Sequence, residues 1–205
     1  MVELKTESEV EAMAAAGAVV AEALRAVMSH AKPGRTTADL DRVAADVLAK
    51  HGATSPFLNY HPDWAPSPFP AVLCTSVNDA IVHGVPNSEV LADGDLVSVD
   101  FGAILRGWCG DAARSFTIGT PRPQDAALIA ATDAALAAGI AAVKPGNTLG
   151  DIGYAIEKAA RGAGYGMLAD HGGHGIGRSF MPLPRRPSFG TWGSSCMVRP
   201  MPWPP

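Results

Sequence analysis

The sequence predicts an α+β fold: two tandem ααβ halves with an antiparallel hairpin between the repeated segments, the second half incomplete. Three observations lead there. A helix–KPGxT–helix pattern occurs twice, Lys32 to Leu40 matching Lys144 to Ile152 at an offset of 112 positions. Between the two copies lies a hairpin of apolar strands, Leu96 to Thr117, that carries two aspartates. Finally, the second half runs out of chain. Starting near Gln124, it would need to reach roughly position 235 on the same repeat, and the sequence has 205 residues.

Each element has its own signal. Thr6-Glu7-Ser8-Glu9 is a capping-box pattern that opens a helix through Val10, Met13, Val20, Leu24 and Val27, ending before Pro33-Gly34. Thr36-x-x-Asp39 opens a second, with Leu40, Val43, Ala44, Val47 and Leu48 on one face, and Gly52 stops it. Ser55 to Phe69, with four prolines and no period, reads as a loop. Pro70 to Ser76 and Ile81 to Gly84 read as strands around an Asn78-Asp79 turn. Helices return at Gln124–Val143 and Thr148–Ala163. From Met181 to Pro205 seven of 25 residues are proline and none is acidic. Residues 1–180 are therefore read as one incomplete domain, and residues 181–205 as a disordered Pro/Arg/Trp-rich tail. A shifted reading frame near codon 180 is the expected origin of that tail.

Bulk properties narrow the class. With 47% hydrophobic residues the chain can build a core, and a net charge of −4 without a basic block argues against nucleic acid or anionic membranes as partners. The charged start shows no apolar leader segment. The alanine-rich run Ala126 to Val143 is too weakly hydrophobic to be a convincing membrane span. Cys74, Cys109 and Cys196 are widely spaced and form no CxxC, which suits a reduced, cytoplasmic setting.

The hairpin carries the chemistry. Closing it at Leu105-Arg106 sets Asp100 directly opposite Asp111. Like charges so placed are destabilising, which makes sense if a cation or a shared proton lies between them. His174, in Gly172-Gly173-His174-Gly175-Ile176-Gly177-Arg178, lies among glycines that let a ligand approach. Alone, such a histidine is more often an ordinary loop residue. His83 ends the Ile81–Gly84 segment, where a structural role and donation to a substrate are equally good readings. Two carboxylates and a histidine suit Mn, Fe, Co or Zn. They defend one metal; two, bridged by carboxylates as in some aminopeptidases, would need more acidic ligands.

These residues resemble methionine aminopeptidase of the bacterial type I class, whose duplicated pita-bread (creatinase/aminopeptidase-like) fold implies two ααβ halves around a curved antiparallel sheet, with helix pairs covering one side. The match runs from Lys5 through Arg178 and rests on SPFLNYHPDWAPSPFPAVLCTSVNDAIVHGVP, LADGDLVSVDFGAILRGWCGDAARSFTIG and GGHGIGR. The resemblance implies that Asp100, Asp111 and His174 are metal ligands and that His83 contacts substrate and aids catalysis. It also implies that Cys74 and the Tyr60–Phe69 region line a pocket for the methionine side chain. The implied activity is removal of the initiator methionine from nascent polypeptides by a monomer working near the ribosome, with two divalent ions (Co, Mn, Fe or Zn).

Departures from the family pattern temper this. Ser179-Phe180-Met181-Pro182 stands where a second substrate-side histidine is expected, and no Asp or Glu follows Asp170, so both glutamate ligands are missing. The chain is expected to hold one ion, or two loosely, and to be weakly active or inactive. A non-catalytic pita-bread module that binds peptide or protein is the alternative. A prolidase-like hydrolase is disfavoured by the NDAIVHGVP segment.

Overall fold

The computed structural model describes residues 4–63, 65–168, 173–178, 180–181 and 198–200. It divides into two compact units: residues 1–120 with 176–181, and residues 121–175 with 182–205.

The first unit is a three-stranded antiparallel sheet packed on two helices. Helix α1 spans Glu7–His30 and α2 spans Thr37–His51. The sheet order is β1-β2-β3, with β1 at Leu73–Val77, β2 at Leu96–Leu105 and β3 at Trp108–Thr117. Both helices start as their sequences dictate. Thr6 and Thr36 each accept from the backbone N–H three residues on, and Glu9 and Asp39 reach back to the cap N–H. Gly52 ends α2 in the left-handed conformation, φ 61°.

Strand β2 alternates between two environments. Val97, Val99, Phe101 and Ala103 are buried in one core with Val20, Ala23, Leu24 and Val27 of α1 and Leu40, Ala44 and Val47 of α2. Fully burying each such Val, Leu or Phe contributes about 1.5–3 kcal/mol. This explains why α1, long and apolar enough to cross a membrane by length and composition, is a core helix. Gly110 lets β3 touch that helix: a Cβ there would stand 2.8 Å from the Ala16 carbonyl carbon and the Gly17 nitrogen. The other face of the sheet takes Ser98, Asp100 and Gly102 of β2, with Cys74 and Ser76 of β1 and Asp111, Ala113 and Ser115 of β3.

The second unit repeats the helix pair. Helix α3 spans Pro123–Ala141 and α4 spans Leu149–Gly162, followed by β4 at Tyr165–Met167. Thr148 and Asp151 rebuild the capping box of Thr36 and Asp39, and Gly146 (φ 93°) repeats Gly34 (φ 87°). The sequence repeat is thus a structural one at its turn. Among the described residues its core cluster is small: Ala135 and Ala160, with Leu128, Ile156, Ala159, Tyr165 and Met167 against them; Ile152 is buried as well.

Several expectations change. Residues 81–84 are not a strand; β1 is Leu73–Val77, shorter and later than Pro70–Ser76. Helix α3 begins at Pro123 with no side-chain cap and ends two residues before Val143. Two short pieces pair at Gly175–Ile176 (β5) and Phe180–Met181 (β6). Within the stretch read as a disordered tail, Val198–Pro200 (β7) pairs antiparallel with β4. The rest of that stretch, 182–197 and 201–205, lies outside the described residues.

Candidate metal centre

The β2–β3 turn decides where the two aspartates stand. Arg106 and Gly107 both have positive φ, 52° and 79°, the signature of a two-residue type I′ hairpin turn. Leu105 therefore pairs with Trp108, one position later than the sequence reading placed the turn. Asp100 then pairs with Ala113, and Asp111 with Gly102. The expected facing pair is corrected to a diagonal one on the same face. The physical reason is Gly107: it takes the left-handed position at no steric cost, which draws the turn onto Arg106-Gly107. A two-step change in pairing keeps side chains on their face, so both carboxylates still point the same way. Diagonal neighbours lie roughly 7–8 Å apart in a ladder, a span suited to a bridging cation rather than to one shared proton.

Both carboxylates are half-buried, and Oδ1 of each is sealed from solvent. Keeping a charged oxygen out of water needs compensation. The negative field is felt next door. Cys74 pairs with Asp100 on β1 and is buried. Burial first, then the charges of Asp100 and Asp111, push its thiol far above the usual range. Burial and Asp111 also push up the Cys109 thiol. Oxygen donors in a buried, negative setting fit a hard or borderline divalent ion. Among the described residues no group of three His, Cys, Asp or Glu converges to complete a metal site. The two aspartates are the part of the predicted set that the first unit brings together.

His83 stands beside this face. It is exposed and left-handed, φ 58°. The next residue locks it in place: the Gly84 N–H donates to Ser76 Oγ (3.1 Å), and the Gly84 carbonyl accepts from the Thr75 N–H (2.8 Å). A Cβ on Gly84 would stand 2.0 Å from the Thr75 carbonyl oxygen. Tyr60 is exposed in a loop tied by Asn59 N–H to Phe69 O and Phe69 N–H to Tyr60 O. Trp64 lies outside the described residues. His174 belongs to the second unit and is half-buried, its Nδ1 3.1 Å from the Gly175 carbonyl.

One contact escaped the sequence reading. Gly102, between the aspartates, has Pro56 Cγ and Phe57 Cε1 at 2.6 and 3.1 Å from where its Cβ would be. A glycine inside an otherwise apolar strand was the available signal, since it marks a close approach.

Residues 11–196 match the model of metallopeptidase family M24. The chain belongs to that family. Methionine aminopeptidase 1 of Mycobacterium tuberculosis is 47% identical over 196 residues, covering 92% of this chain and 71% of the relative. Methionine aminopeptidase of Clostridium acetobutylicum is 42% identical, covering 94% and 75%. The crystal structure of methionine aminopeptidase from Rickettsia prowazekii superposes with a TM-score of 0.84 at 39% identity, covering 90% of this chain and 72% of that one. The fold of this M24 chain is therefore the pita-bread fold, α+β as expected, and its chemistry is that of a metal-dependent hydrolase.

Proposed function

We propose that this M24 chain removes the N-terminal methionine from peptides by metal-assisted hydrolysis. The observation that carries the reading is its 47% identity over nearly its whole length to a protein named methionine aminopeptidase 1. The buried acidic face of the sheet supports it from the other direction.

In this reading Asp100 and Asp111 hold the divalent ion, with His174 as a third donor. When bound, such an ion polarises the scissile carbonyl and activates a water for attack. The remaining work falls to the chain's own groups. His83, exposed at the rim, donates a proton to the peptide as charge develops. Cys74 stays a neutral thiol because burial and the aspartates hold its proton on, so it offers the methionine side chain a small apolar wall. Tyr60, exposed in its loop, is the other residue this reading gives to the methionine pocket. Two donors from one sheet face and one histidine hold a single ion better than two. A single ion supplies less charge stabilisation than a pair would, so turnover in this reading is slow.

The test is release of methionine from a Met-Ala-Ser peptide with added Co or Mn, alongside metal counting. We expect slow, metal-dependent release with about one ion per chain, abolished in Asp100→Asn. Fast turnover with two ions bound would overturn the single-ion part. Peptide binding without any release would favour the second reading, a non-catalytic peptide-binding module, which the acid-free stretch after Asp170 favours.

A further inference from the structure

Trp108 opens β3 immediately after the Arg106-Gly107 turn, and it is 6% exposed. Two cations meet its ring. The Arg178 guanidinium carbon lies 4.3 Å from the ring centroid and the Lys5 ammonium 6.0 Å, the Arg178 stack well within cation–π range. Beside them the Cys109 N–H donates to the Gly177 carbonyl at 2.8 Å, so residue 177 is bonded to the backbone of β3. Gly177 is buried, and Lys5 Cε and Nζ lie 3.4 Å from where its Cβ would stand. The carboxyl of Glu9, held below its usual range mainly by its Thr6 hydrogen bonds, also feels the charges of Lys5 and Arg178. Residues 177–178 are thus held by the ring and by the strand backbone, with Lys5 packed against Gly177.

The strand residue that holds Gly177 is two positions before Asp111. We propose that Arg178 and Trp108 form a clamp on the start of β3 that positions Asp111 for metal binding, although neither is a ligand. Groups that orient ligands are commonly worth 10–100-fold in metal affinity. This inference rests on the reading of Asp100 and Asp111 as ligands.

The test uses the full chain, with Co titrated by calorimetry and exchange of the Cys109 amide followed by NMR. Arg178→Gln is expected to speed Cys109 exchange and weaken Co binding by about tenfold or more. Arg178→Lys, a smaller cation over the same ring, is expected to recover part of both, and Trp108→Phe most of both. Arg161→Gln, an exposed arginine paired with Glu157 on α4, is the control and should change neither. Faster Cys109 exchange with unchanged Co affinity would overturn the positioning role. Unchanged exchange would overturn the clamp itself. Failure of the unsubstituted chain to bind Co would remove the ligand reading and the positioning role with it, and Cys109 exchange would still report on the clamp separately.

Discussion

Asp100 and Asp111 are two like charges held on one sheet face, each with a buried oxygen. Asp100→Asn removes one of two like charges. With chelator present, we expect its melting temperature to equal or slightly exceed that of the unsubstituted chain. With Co at about a hundredfold over its dissociation constant, the unsubstituted chain should gain roughly 2.7 kcal/mol and Asp100→Asn little. Thermal melts with and without Co measure both. Cys74 makes a second residue-scale prediction. Its proton is held by burial first and then by the charges of Asp100 and Asp111. Because thiolates are the reactive form, iodoacetamide at pH 8 should leave the Cys74 peptide unlabelled in the native chain and label it in urea, as read by mass spectrometry. A free, exposed Cys74 would react at once.

Two kinds of element contact govern the scaffold. Where β3 crosses α1, Gly110 leaves no room for a methyl group against the Ala16–Gly17 backbone. Gly110→Ala should therefore destabilise by about 1–3 kcal/mol, read as a lower urea midpoint with unchanged slope. The helix caps set an acid limb. The Glu9 and Asp151 carboxyls are held below their usual range, first by backbone N–H and then by hydroxyl bonds from Thr6 and Thr148. A lowered folded pKa contributes stability above the unfolded value, near 4, and loses it as the pH falls through the folded one. The stability gap between the unsubstituted chain and Thr148→Ala should therefore be present at pH 7 and shrink by pH 3, as urea titrations at the two pH values would show. At this scale much was legible from sequence. The caps of α1, α2 and α4 are local chemistry, and the KPGxT turns announce their own φ values. The hairpin register was missed because two adjacent left-handed residues, one of them an arginine, decide it. Residues 81–84 read as a strand because they are apolar, but they are not a strand, and Gly84 bonds to Thr75 and Ser76 of β1. Gly102's seat under Pro56 and Phe57 depends on a loop 45 positions earlier, beyond any local pattern.

Over the whole chain the two units differ in what holds them. The first has a continuous core from Val19 to Ile118, whereas among the described residues of the second the core cluster is Ala135 and Ala160 with five partly buried neighbours, and Ile152 is buried besides. Regions with few buried apolar contacts open first. Amides of α3 and α4 should exchange before those of β2 and α1, and equal protection in both units would contradict this. The sheet of the first unit has one further consequence. Along β2, residues 97, 99, 101 and 103 pack against the helices while 98, 100 and 102 lie on the opposite face. Neighbouring positions in a single strand thus answer to separate selective pressures, one set for abundance and the other for reactivity. A lineage can revise what this surface does, one alternate position at a time, without renegotiating whether the protein folds.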